Sequence, residues 1–124
     1  IVLCQGKIIG KPKDPKDAMV ILRFLNGKMH EVFSGIALVK KKGRRTQVLV
    51  DYEVTKVYFR KLTNQEIKDY VETGEPLDKA GGYGIQERGA LLIKRIDGDF
   101  YNVVGLPLVK LLELSKRMGI KIYG

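Results

Sequence analysis

Gly81-Gly82-Tyr83-Gly84 places three glycines in four residues, and a glycine cluster lets a backbone approach phosphate closely. Its spacing matches neither of the two familiar phosphate loops. The Lys-Ser/Thr ending of a nucleotide-binding P-loop is missing, as is the terminal glycine spacing of a dinucleotide fingerprint. Taken alone, the cluster reads as a tight loop with positive backbone angles. A second feature is the basic run Lys40-Lys41-Lys42-Gly43-Arg44-Arg45, with Tyr52 and Tyr58 following. Basic side chains beside aromatic ones can bind nucleic acid, and the plainer alternative is a solvated turn. The whole chain carries 23 basic and 14 acidic residues, a net charge of +9. That balance fits a phosphate-rich partner or a lysine-rich solvated surface.

Other chemistries are excluded by scarcity. Cys4 is the single cysteine and His30 the single histidine, so there is no internal disulfide and no cage of thiolates or imidazoles for a metal. A lone cysteine fits the cytoplasm. Cys4 ends the apolar run Ile1-Val2-Leu3-Cys4 and reads as core. His30, near a strand start, reads as a hydrogen-bonded packing residue. Every long apolar stretch is broken by Lys, Arg or Gly, short of the roughly eighteen residues that a membrane helix needs.

The elements that position these residues follow from pattern. Residues 1–4 read as a strand, Gly6 as a turn, and residues 7–9 as a second extended piece ending at Gly10. Pro12 keeps Lys11 extended, on a loop leaving that strand. Asp14 caps a helix with Pro15 at its first position, and Ala18, Ile21, Leu22 and Leu25 recur at helical spacing until Asn26-Gly27. Segments 31–39 and 47–59, rich in Val, Ile, Tyr, Phe and Thr, predict a hairpin with the basic run at its tip. Thr63 and Glu66 form a capping box for a short helix through Tyr70 and Val71 that closes near Gly74. A glycine-rich loop over 74–84, a strand over 91–96, a turn at Asp97-Gly98 and a strand over 101–106 follow. A helix from Pro107 to Gly119 and a short strand over 120–123 complete the chain. The length, 124 residues at 44% hydrophobic, is enough for one core, so residues 1–124 are expected to form a single domain. The order of elements predicts an α/β fold with a mixed twisted sheet and flanking helices.

In context the glycine cluster becomes specific. The run Gly74-Glu75-Pro76-Leu77-Asp78-Lys79-Ala80-Gly81-Gly82-Tyr83-Gly84-Ile85-Gln86, the Gly98-Asp99 turn and Val103-Val104-Gly105-Leu106-Pro107-Leu108 fall in the order and spacing of the Maf family of nucleoside triphosphate pyrophosphatases. The resemblance extends back through Ile9-Gly10-Lys11-Pro12, Leu25-Asn26-Gly27, His30, Val32 and Gly35, so it covers nearly the whole chain. It implies the Maf/inosine-triphosphatase-like two-lobed architecture with the active site between the lobes. It also implies hydrolysis of nucleoside triphosphates to the monophosphate and pyrophosphate with a divalent metal, Mg or Mn. A link to septum formation, known for some members, and a homodimer are further possibilities it leaves open.

Residue by residue, Lys11 matches the lysine of the family's Gly-Lys-Pro motif, which faces the substrate phosphates. A lysine serves there as a point charge that balances the leaving pyrophosphate. Gln86 matches the glutamine of the branch that prefers dTTP and UTP, and its amide offers a donor and an acceptor to a pyrimidine edge. Asp78 and Lys79 match a pair ahead of the glycines that either serves the substrate site or braces the loop by an ion pair.

The chain also departs from the family pattern. The Ser-x-Ser-Pro-Arg-Arg loop that grips the triphosphate is absent, as is the Asp-Thr pair that supplies the general base and belongs immediately before Ile1. The sequence opens inside an apolar strand without Met. The expectation is therefore a C-terminal two-thirds, truncated at the N-terminus and poorly active alone. Glu87-Arg88 stands where many relatives have glycine and a small or apolar residue, which bears on the base pocket. Three functions compete: a dTTP/UTP pyrophosphatase, a basic nucleic-acid-binding or regulatory module without catalysis, and a pyrophosphatase for modified purine nucleotides. Ile85-Gln86 argues against the last.

Overall fold

The computed structural model describes residues 1–123. In chain order the elements are β1 (Val2–Cys4), β2 (Lys7–Ile9), α1 (Pro15–Leu25), β3 (Met29–Lys42), β4 (Arg45–Phe59) and α2 (Asn64–Glu72). Three short 3-10 turns follow at Glu75–Asp78, Ala80–Gly82 and Arg88–Leu92, then β5 (Ile93–Asp97), α3 (Phe100–Val104) and α4 (Leu108–Arg117). The strands form one sheet in the order β2-β1-β3-β4-β5. The α/β class with flanking helices is as the sequence predicts. The sheet differs from the mixed one that the sequence predicts, because the pairings described are all antiparallel. Two are hairpins, and the longer connections through α1 and α2 bring the next strand back against its neighbour in the opposite sense.

The local signals act as chemistry requires. Gln5 and Gly6 both have positive φ, 49° and 77°, the geometry of the tight turns that join twisted strands. Asp14 accepts the Asp17 amide at 2.7 Å, and Pro15 opens α1, which buries Ala18, Leu22 and Leu25. Burial of each leucine contributes roughly 1.5–3 kcal/mol. The Thr63 hydroxyl accepts the Glu66 amide and the Glu66 carboxylate accepts the Thr63 amide, each at 3.1 Å. Arg60 adds an ion pair to Glu66.

The sheet presents one face to the helices. On β3, His30 and Val32 are buried, and on β4 Thr55, Val57 and Phe59 are. The same parity continues to Lys40, whose ammonium donates to the Met118 carbonyl, and to Asp51, which pairs with Lys110 of α4. Of the other parity, Val39, Val48, Val50 and Tyr52 are exposed. The core joins β1, β3 and β4 to α1 and α2 through Val2, Cys4, Leu22, Leu25, Val57, Phe59, Ile67 and Tyr83. Cys4 is thus a core residue.

Several boundaries differ from the sequence expectation. The hairpin strands run to Lys42 and from Arg45, so most of the basic run lies in paired strands and only Gly43-Arg44 turns. The strand expected over 91–96 begins at Ile93, after the third 3-10 turn. Segment 101–106, expected as a strand, is the short helix α3. The Asp99 carboxylate accepts the Tyr101 amide at 2.8 Å and starts it, Asn102 turns inward to donate to the Val32 carbonyl and to Thr55, and Gly105 at φ 138° ends it. The strand expected over 120–123 does not form, since no described strand pairs with it. No helix of the described residues is long and apolar enough to cross a membrane.

Candidate functional site

The Gly-Lys-Pro loop and the glycine turn are in contact. The Gly81 amide donates to the Gly10 carbonyl at 3.1 Å, so the residue beside Lys11 is fixed to the middle of the 74–86 motif. Glycine is required on the Gly81 side for two reasons. Its φ is +79°, and an added Cβ would lie 3.1 Å from the Val2 side chain of β1, a distance that forces a neighbour to give. Gly82 is also left-handed, at φ +73°, and its Cβ position faces Pro12 and Ile21.

Beside this junction runs a cleft of about 260 Å³, whose lining includes Ile1, Ser34, Lys79, Ile85, Asn102 and Gly105. Its walls therefore come from β1, β3, the glycine-rich segment and α3. The Ser34 hydroxyl donates to the Asn102 carbonyl at 3.3 Å, holding α3 against β3. A hollow of about 290 Å³ near Leu112, Ile120 and Ile122 is similar in size, but it holds none of the four candidate residues.

The four candidates are placed as follows. Lys79 lines the cleft. Its ammonium donates to the Asp78 carboxylate at 3.1 Å, which raises the lysine's pKa and lowers that of the aspartate. The Lys79 chain passes directly over Gly84, where an added Cβ would meet its Cε at 2.6 Å. Asp78 is exposed and outside the cleft lining, and Lys11 lies near enough for its charge to help lower Asp78. Lys11 is exposed and forms no ion pair among the described residues. Gln86 is exposed, with no side-chain hydrogen bond among the described residues, and follows Ile85, which does line the cleft.

His30 is a packing residue. It is fully buried, its Nε2 is 2.6 Å from the Tyr83 hydroxyl, and its ring meets Phe59 and Tyr83 edge to face. Burial lowers its pKa from 6.5 to about 4, so it is neutral near pH 7. Ser34, Ile85 and Asn102 were not among the candidates from sequence. Ile85 was legible as part of the motif, whereas Ser34 reaches the cleft only through the pairing of β3, which no local pattern announces.

The family model described as Maf-like protein matches residues 1–118. A dTTP/UTP pyrophosphatase of Dictyoglomus thermophilum is 50% identical over 122 residues, which is 98% of this chain and 62% of the relative. Another, of Moorella thermoacetica, is 49% identical over 124 residues, 100% of this chain and 63% of the relative. One from a Geobacillus species is 50% identical over 119 residues, 96% and 62% respectively. The chain thus spans about 62% of the length of these curated relatives. With the Gly10–Gly81 junction, the glycine-rich run and α3 all falling inside the matched residues, the chain belongs to the Maf-like protein family.

Proposed function

We propose that the chain is part of a pyrophosphatase acting on dTTP and UTP. Water adds to the α-phosphorus, the bond from that phosphorus to the oxygen bridging it to the β-phosphate breaks, and pyrophosphate and the monophosphate leave. Lys11 is assigned to the phosphate oxygens, where a fixed positive charge stabilises the charge developing on pyrophosphate. Lys79, at the cleft wall with Asp78 holding its ammonium, is assigned to bind the nucleotide. Gln86 is assigned to the base, with Ile85 as the apolar surface beside it. The general base of the resembling family stands next to the position of Ile1, and Ile1 lines the cleft.

The observation that supports this most directly is the hydrogen bond from Gly81 to Gly10. It ties the loop of Lys11, to which the phosphate role is assigned, to the glycine-rich segment whose Lys79 and Ile85 line the cleft, in a chain about half identical to enzymes named for dTTP and UTP. The residues present do not form a resident metal cage. No group of three His, Cys, Asp or Glu side chains clusters among the described residues, and the Asp78 carboxylate is engaged by Lys79. We infer that Mg or Mn arrives on the triphosphate as part of the substrate, in the cytoplasmic nucleotide pool. Pyrophosphate release from dTTP and UTP by the full-length natural polypeptide tests the reading. Release from both, well above that from purine triphosphates, supports it, and no release from either overturns it.

A further inference from the structure

The loop that carries Ile85 and Gln86 has neither a helix nor a strand to hold it. Its two ends meet each other, since a Cβ added at Gly89 would lie 2.1 Å from the Gly84 carbonyl oxygen. What grips both ends is a buried phenol and one carboxylate. Glu75 Oε1 accepts the Tyr70 hydroxyl at 2.7 Å and the Gly89 amide at 3.0 Å. Glu75 Oε2 accepts the Arg88 amide at 3.3 Å. The Tyr70 hydroxyl, donating to Glu75, accepts the Gly84 amide at 3.1 Å. Tyr70 is anchored in the core on α2, so the clasp connects the loop to the core.

We propose that Glu75 is a positioning residue which, with Tyr70, holds the 84–89 loop so that Ile85 and Gln86 select the pyrimidine base. The proposal rests on the nucleotide reading of the cleft. Its chemistry is specific to a carboxylate. Three donors converge on Glu75, one hydroxyl and two backbone amides, and an ionised carboxylate is acceptor only, with room for all of them. Hydrogen bonds to a charged acceptor are also the stronger kind. The effect extends to Lys79, whose side chain lies across Gly84, so the clasp sets the height of the cleft wall on which both Lys79 and Ile85 stand. Burial and the bond to Glu75 raise the pKa of Tyr70, which keeps the phenol a donor to Glu75 at any working pH.

Glu75→Gln conserves volume but turns an NH2 group toward at least one of these donors. Two readouts on the full-length polypeptide test it. By amide hydrogen exchange, peptides covering 84–89 should exchange about 10-fold to 150-fold faster in the variant, the span that losing a hydrogen bond to a charged group implies. Peptides from α1 and β3 should be unchanged. In pyrophosphate release, the ratio of kcat/KM for UTP over GTP should fall by about 10-fold or more. Tyr70→Phe, which frees the Gly84 amide and takes the hydroxyl donor from Glu75 but leaves the Arg88 and Gly89 amides on the carboxylate, should move both readouts the same way by less. Unchanged exchange over 84–89, or a slowing equal for UTP and GTP, overturns the proposal. If the parent releases no pyrophosphate from any nucleotide, the functional reading falls and base selection with it. The exchange result then separately upholds or overturns the clasp.

Discussion

The amide of Gly81 donates to the carbonyl oxygen of Gly10 at 3.1 Å, joining two segments 71 residues apart through a glycine, Gly81, that has no room for a side chain. Gly81→Ala would place a Cβ at a backbone φ of +79° and 3.1 Å from Val2. Left-handed backbone at a non-glycine residue costs about 1–3 kcal/mol, and the Val2 contact adds to it. The variant should therefore unfold at a lower denaturant concentration, by about 1–3 kcal/mol, with the slope of the transition preserved. An unchanged midpoint would show that the junction is slack.

Lys11 is the opposite case, a residue whose loss should leave the fold intact. It is exposed and forms no ion pair among the described residues, so Lys11→Ala should alter stability by no more than about 0.5 kcal/mol. Removing a charge aimed at the transition state typically lowers kcat about 100-fold to 1000-fold. Steady-state kinetics and a melting curve on the same preparation decide the matter. Full kcat in a stable variant would remove Lys11 from the phosphate site.

Much of this arrangement was legible before any coordinates because it depends on short-range chemistry. Asp14-Pro15, the Thr63–Glu66 box and the glycines each act within a few residues, so α1, α2 and the tight turns stand where pattern placed them. Segment 101–106 failed for the converse reason. Its Tyr and Val have strand preference, but Asn102 is drawn inward by hydrogen bonds to Val32 and Thr55, partners 70 and 47 residues away, and that tertiary pull favours a helical turn begun by Asp99. The clasp of Glu75 was hidden similarly: its partners Arg88 and Gly89 lie across the glycine turn, and nothing in the sequence around Glu75 indicates three donors.

His30 gives the molecule a definite pH response. Its pKa is about 4 in the folded chain against an ordinary 6.5, so between these values the unfolded chain binds more protons than the folded one. Stability is then fully present above pH 6.5 and declines as pH falls toward 4, by roughly 3 kcal/mol if the gap is complete. Carboxylates join in below about pH 5, so the diagnostic interval is pH 5 to 6.5. Denaturant midpoints should fall across that interval, and the slope should vanish in His30→Gln. A slope of equal size in that variant would assign the effect to other groups.

The role proposed for Gln86 is base choice alone. Because its side chain is exposed and without a described hydrogen bond, Gln86→Ala removes nothing that holds the loop, and amide exchange over 84–89 should stay as in the parent. If the amide pairs with uracil or thymine, losing it should cost roughly 1–3 kcal/mol for those substrates. Nucleotides that never used those bonds should lose less. The ratio of kcat/KM for UTP over GTP should then fall about 5-fold to 150-fold, since each 1.4 kcal/mol is about a factor of ten. Glu87 and Arg88, the next residues on the same exposed turn, could take up part of the contact, and a double variant with Arg88→Ala would reveal that as a further fall. A ratio that stays constant while every nucleotide slows equally would mean that Gln86 shapes the turn and that the base is read elsewhere along the cleft.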